Sequence, residues 1–203
     1  MPFRHFIATA ALAAGLFSTA TAAIARDIVK SSLGYPPGTI VIVNSEHRLY
    51  FIAGKGKAIR YPVATGKPSQ VWTGSTRIAE KKEDPTWLNP DDPTAEVVEG
   101  GDPKNPLGVR AMYLGNTLYR IHGTPKASSI GQSVSNGCIR MLNKDVTDLY
   151  NRVRVGTQVI AINSLKADGK FVQHAPKPVH QKLYLADKKK TEARKRALLA
   201  RQG

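Results

Sequence analysis

The chain contains one cysteine, Cys138, in the run Ser135-Asn136-Gly137-Cys138-Ile139-Arg140-Met141. Upstream lies Ile121-His122-Gly123-Thr124, which places a histidine sixteen positions before the thiol. Together these residue types can perform covalent acyl transfer: a thiolate attacks a carbonyl and leaves again readily, while an imidazole takes and returns the proton. An unperturbed thiol, with a pKa of about 8.5, is mostly protonated near neutral pH and needs such a base. His122 is the best candidate, because His47, His174 and His180 lie in a turn and a tail, outside any motif. The alternative is that Cys138 is a buried small hydrophobe. Gly137 argues against this, since glycine permits unusual backbone angles and close approach of a substrate, and polar Ser135 and Asn136 precede it.

Further groups cluster around this pair. Arg140 follows the thiol by two, so on a strand its side chain would share the face of Cys138. The backbone amides of Gly137 and Cys138 could serve as donors to a developing oxyanion. The carbonyl of Gly123 or of Thr124 could orient the imidazole. Tyr119 and Trp87 are candidates to line a cleft, and Ser135, Asn136 and Gly123 to contact substrate. One cysteine and scattered histidines lack the clustered spacing of metal ligands, so neither a metal nor another cofactor is expected.

The elements that must position these groups can be read from pattern. Gly38 to Val43 and Arg48 to Ala53 are short β-rich runs around Asn44-Ser45-Glu46-His47, a hairpin signal. Lys57 to Val63 adds a third strand, with Pro62 placing its end near an edge. Residues 80–108 are crowded with Asp, Pro and Gly and fit neither helix nor strand, so a long, ordered, functional loop is expected. Val109 to Leu114 and Thr117 to Ile121 read as strands turning at Gly115-Asn116, which delivers His122 to a strand end. Asn143 can cap a short helix carrying Val146, Leu149, Tyr150 and Val153 on one face, with Asp145 in its first turn. Gly156 ends it, and Thr157 to Ile162 returns as a buried strand. The fold class is therefore mostly β, mixed α/β, with one short helix after the cysteine.

Residues 1–25 combine a basic start, an apolar stretch from Phe6 to Phe17 and small residues at Ala23-Ile24-Ala25, the pattern of a secretory signal peptide. The expected divisions are 1–25 signal peptide, 26–165 catalytic domain and 166–203 basic, partly disordered tail. The formal charge is +15, and from Lys166 onward eleven Lys or Arg stand against Asp168, Asp187 and Glu192. Such a balance suits electrostatic contact with an anionic envelope surface. A nucleic-acid partner is not expected, because an exported protein seldom meets one and no binding motif is present.

The runs Ile121 to Thr124, Ser135 to Met141 and Gly156-Thr157-Gln158-Val159 together resemble the L,D-transpeptidase catalytic domain, or YkuD domain. Arg48-Leu49-Tyr50, Lys82-Glu83-Asp84-Pro85-Thr86-Trp87 and Asn105-Pro106-Leu107-Gly108 resemble the flanking signatures of its periplasmic envelope branch, in the same order. The resemblance spans roughly Gly38 to Ile162 and implies a β-sandwich enzyme of the bacterial wall. Such enzymes attack the third residue of a tetrapeptide stem, usually diaminopimelate, and expel D-alanine. They pass the acyl group to an amine, either of another stem, giving a 3-3 cross-link, or of a lysine on an envelope protein. It further implies Cys138 as nucleophile, His122 as general base, a place for Arg140 in the site, and acylation by carbapenems. Arginine suits a carboxylate of the stem, since its planar fork binds in bidentate fashion. One departure is Asn136, which stands where the family commonly has histidine before the Gly-Cys pair. Asparagine cannot take a proton in catalysis but can hydrogen-bond, so altered acceptor or pH preference is expected. Rival readings are a cysteine hydrolase using the same pair, and a non-catalytic wall-binding module.

Overall fold

Residues 26–89 and 97–165, together with Ala193 and Arg196, are described by the computed structural model. The expected signal peptide and nearly all of the expected tail lie outside the described residues. The chain begins its first sheet with β1 (Asp27–Lys30), followed by β2 (Ile40–Val43), β3 (Arg48–Gly54) and β4 (Lys57–Gly66). The sequence of β2, Ile-Val-Ile-Val, is buried at all four positions. Ile40 and Ile42 join the main core, whereas Val41 and Val43 pack on the other face with Leu33, Tyr50 and Ile52. A strand covered on both faces reads as a continuous apolar run rather than an alternation.

The expected hairpin is formed by β2 and β3, paired antiparallel. The third strand extends further than its sequence indicated. β4 runs ten residues, and Pro62 lies inside it rather than near its end. Arg48 opposite Pro62 closes the pairing with β3, and from Val63 onward β4 pairs with a different strand. Proline lacks an N–H for the ladder, and here it falls where β4 leaves one sheet for the other.

β5 (Gly74–Glu83) was not anticipated, and its last residues fall within the stretch read as loop. Its side chains are polar and mostly exposed, with Ile78 buried. It is a strand because of its neighbours: Arg77 pairs with Gln158, and Ile78 to Glu83 pair with β6 (Arg110–Leu114). Tertiary pairing here overrides a weak local preference. β7 (Arg120–His122), β8 (Ser133–Ser135) and β9 (Ile139–Met141) follow, then α1 (Asn143–Arg152) and β10 (Gln158–Ile162).

The strand order is β1-β4-β3-β2-β10-β5 in the first sheet and β5-β6-β7-β9-β4 in the second, with β8 added against β4. The two longest strands, β4 and β5, thus serve both sheets and close them around one core. Leu49, Tyr61, Ile78, Met112, Ile121, Ile139 and Met141 fill it, with Val146 and Leu149 of α1. The expected mostly β sandwich with a helix after the cysteine is the observed fold. Asn143, however, does not cap α1: the cap position is Leu142, with no side-chain cap. Asn143 Oδ1 instead accepts from the Val109 N–H at 3.4 Å, so its side chain is committed to a tertiary contact. The helix ends at Arg152, before Gly156. Among the described residues no helix is long and apolar enough to cross a membrane.

Candidate active site

β7 and β9 lie side by side and parallel, with Ile121 opposite Ile139 and His122 opposite Arg140. Both isoleucines belong to the core. Because strand side chains alternate, His122 and Arg140 turn to the other face of the second sheet. Cys138 stands one residue before β9, with the same parity as Arg140. Two strands that are distant in sequence thereby bring the thiol and the imidazole into one neighbourhood.

His122 is 4 % exposed, and its Nδ1 lies 2.6 Å from the Gly123 carbonyl oxygen. A carbonyl can only accept, so Nδ1 carries the proton and Nε2 is left with its lone pair. Of the two orienting carbonyls expected, Gly123 is the one used. Burial drives the imidazole pKa down from 6.5 to about 3; the backbone hydrogen bonds with Gly123 and Leu107 oppose this, while the charges of Arg120 and Arg140 reinforce it. Desolvation penalises the cation, so the ring is neutral at any pH near 7.

A loop after β5 covers this histidine. Asn105 is buried, donating through Nδ2 to the Pro85 carbonyl at 2.7 Å and to Glu99 at 3.1 Å, while its Oδ1 accepts from the Leu107 N–H at 2.9 Å. Gly108 then packs its backbone against Gly123 and Asn143 Oδ1, a close approach that a side chain would block. The described part of the 80–108 stretch is thus ordered, as expected, although residues 80–83 are strand. Trp87 bridges through its backbone to Val98 in this loop. Among the described residues no hydrogen bond joins it to Cys138 or His122.

The turn carrying Cys138 is held from three sides. Gly137 has φ 108°, a conformation that favours glycine. Ser135 Oγ accepts from the Gly137 N–H at 3.1 Å and donates to the Cys138 carbonyl at 2.6 Å. Trp72 donates its Nε1–H to the Gly137 carbonyl at 3.0 Å and stacks on Tyr119 with centroids 5.5 Å apart. A Cβ on Gly137 would collide with the Tyr119 ring. Ser135 and Tyr119 therefore shape the turn, and Asn136 is exposed beside it. The Gly137 amide, expected as an oxyanion donor, is already engaged by Ser135, which leaves the Cys138 amide as the candidate. The half-buried thiol directs its hydrogen to the Leu118 carbonyl at 3.8 Å rather than to His122.

Trp72 and Arg120 are parts of the site that sequence reading did not single out, while Asn105 and Gly108 stood there only as members of a flanking signature, without a role. A tryptophan is usually core, and only the need of its buried N–H for a partner marked Trp72 as more.

The sequence signature of the family described as YkuD, L,D-transpeptidase catalytic domain, matches residues 37–160. The chain belongs to that family. It is 38 % identical to the probable L,D-transpeptidase YbiS of Escherichia coli over 134 residues, which cover 59 % of this chain and 43 % of that protein. It is 34 % identical to the probable L,D-transpeptidase ErfK/SrfK of Escherichia coli over 138 residues, covering 61 % and 44 %. The putative L,D-transpeptidase YqjB of Bacillus subtilis is 40 % identical over 106 residues, covering 49 % and 57 %. The chain thus spans about half the length of the curated relatives it matches. Among solved structures, the avibactam carbamoyl enzyme of Ldtfm superposes with a TM-score of 0.53 at 19 % identity, over 64 % of this chain and 50 % of that one. A mutant of the Enterococcus faecium L,D-transpeptidase gives 0.50 at 19 % identity, over 61 % and 49 %. Both share the YkuD fold.

Two predictions follow from this geometry. Gly137→Ala meets both the unfavourable φ and the Tyr119 ring. It should cost about 1–3 kcal/mol in urea denaturation, and an effect under about 0.5 kcal/mol would contradict the packing described. His122 has a folded pKa below that of the unfolded imidazole, so the folded chain binds fewer protons between about pH 6.5 and 3. Its contribution is full above 6.5 and is lost on acidification through that window, at up to about 1.4 kcal/mol per pH unit. The difference in stability between the native chain and His122→Gln should therefore change with pH below 6.5, and parallel curves would refute it.

Proposed function

We propose that this YkuD domain is a cysteine-dependent acyltransferase of peptidoglycan stem peptides. The observation that carries the reading is a neutral imidazole, held by Gly123 with Nε2 unprotonated, on a strand paired with the one that follows a tightly held cysteine turn. A catalytic base must be free of its proton and fixed in orientation, and both conditions are met. Rotation about the Cys138 Cα–Cβ bond takes the thiol from Leu118 toward His122. As sulfur attacks the carbonyl of the third stem residue, diaminopimelate, the thiol proton passes to Nε2. The Cys138 amide faces the oxyanion. Collapse breaks the C–N bond, and the imidazolium returns the proton to the leaving D-alanine amine. An acceptor amine then attacks the thioester, loses its proton to Nε2, and restores the thiol. The acceptor is another stem, giving a 3-3 link, or a lysine of an envelope protein. Burial of His122 makes its cation costly, so the imidazolium exists only while these steps pass through it.

Arg140 binds a carboxylate of the stem, and Ser135 positions the turn. Asn136, Gly123 and Tyr119 border the bound peptide, and Trp87 is retained as a more distant lining residue. Residues 26–165 form the catalytic domain. Residues 1–25 direct export to the periplasm and are cleaved, and residues 166–203 give a basic tail that contacts the anionic envelope.

The test is mass spectrometry of disaccharide-tetrapeptide fragments after incubation with the protein and with Cys138→Ala. D-alanine release with dimers joined between third residues, absent in the variant, is the expected result. Tripeptide without dimers would indicate hydrolysis or a protein acceptor. Fragments left intact by the native protein would overturn the reading.

A further inference from the structure

A cleft of about 420 Å³, lined by Lys126, Ser128, Ser129, Gln132, Val134 and Arg140, adjoins the site through Arg140, which lies opposite His122 and two residues after Cys138. Two of these residues are cations and none is an acid. Arg140 is half-buried, and among the described residues no carboxylate pairs with it. A guanidinium withdrawn from water without a counter-ion is costly, and a ligand carboxylate would offset that cost.

The backbones that carry both cations are fixed. Arg140 lies in the middle of β9, opposite His122 on one side and Ala64 of β4 on the other. Lys126 follows the His122 strand by four residues. Its N–H donates to Thr124 Oγ1 at 3.1 Å, and its carbonyl accepts from both Ser129 Oγ at 2.7 Å and the Ser129 N–H at 3.1 Å. Gln132 donates to the Ser128 carbonyl at 2.8 Å, which ties the far wall of the cleft to the same turn. These hydrogen bonds hold the main chain of the cleft wall in place before any ligand arrives, while the Lys126 side chain stays exposed.

We propose that Lys126 and Arg140 form a carboxylate-selective pocket, by which the enzyme accepts acyl donors bearing a free carboxylate near the attacked carbonyl and rejects the same donors when that carboxylate is amidated. The inference rests on the acyl-transfer reading above and adds Lys126 as a specificity residue. Arg140 supplies the planar, bidentate partner, and Lys126 a second, movable charge at the rim. A carboxamide keeps the shape of the carboxylate but brings no charge, and it sets an N–H against two donors. It should therefore leave the pocket's cations unpaired in the bound state.

The experiment compares tetrapeptide fragments carrying the side-chain carboxylate of the third residue free or as carboxamide. kcat/KM is measured for the native protein, Lys126→Gln and Arg140→Gln. Amidation should cost the native protein roughly tenfold to a hundredfold, the range of a lost charged hydrogen bond. Lys126→Gln should shrink that ratio several-fold and Arg140→Gln more so. Alkylation of Cys138 by uncharged iodoacetamide should proceed at the native rate in Lys126→Gln, which separates ligand recognition from damage to the nucleophile. Native turnover of both donors within twofold, or an unchanged ratio in Lys126→Gln, would overturn the pocket while leaving the transpeptidase reading intact. If the native protein turns over neither donor, that reading fails, and the pocket is then decided by binding of the two fragments to Cys138→Ala. Preference for the free carboxylate would sustain it and equal affinity would overturn it.

Discussion

The hydrogen bond from His122 Nδ1 to the Gly123 carbonyl is the interaction on which the site depends. It determines which nitrogen holds the proton, and burial keeps the ring neutral. Neither condition is local. The bare backbone of Gly123 lets Gly108 approach, and Gly108 is brought there by Asn105, whose side chain gathers the carbonyls of Pro85 and Glu99. The loop is therefore a lid in the static sense: it keeps water from the ring and so keeps the ring neutral. Arg120 and Arg140 push in the same direction. The arrangement leaves a ring with little affinity for a proton.

The second constraint is closure of the sandwich. β4 and β5 each belong to both sheets, so the strands that carry the histidine and the thiol cannot slip without disturbing the core. The cysteine turn is tied to this frame at Ser135 and at Trp72, and Trp72 is itself buried in the core and stacked on Tyr119. Side chains thus hold the main chain of Gly137 and of Cys138, and the Cys138 thiol is the less constrained element. Its contact with the Leu118 carbonyl is a weak sulfur hydrogen bond.

What the sequence disclosed and what it hid divide along physical lines. Runs such as Ile40 to Val43 and Val159 to Ile162 announce buried strands, because the composition needed for burial on both faces is unmistakable. His122 and Cys138 drew attention because their chemistry is rare and their flanks distinctive, and the fold pairs the strand of the one with the strand that follows the other. β5 could not, since Gly74 to Glu83 is polar and becomes a strand through its two neighbours. Asn143 looked like a helix cap, but the same side chain was needed by Val109. The Gly137 amide was a reasonable oxyanion donor until the position of the Ser135 hydroxyl was known. In each of these cases the deciding partner lies far along the chain or in a turn whose geometry the residue types alone do not set. Pro62 belongs with them: a proline suggests an edge, and only the full strand order reveals a crossing between sheets.

The central claim is that His122 is neutral at rest and protonated at Nδ1. Nitrogen NMR of the protein with ¹⁵N-labelled histidine tests it directly, with His122→Gln used to assign the signal. The account predicts an Nδ1–H tautomer whose shifts stay constant from pH 8 to pH 5. A titration with a midpoint near the ordinary value of 6.5, or a proton on Nε2, would contradict it.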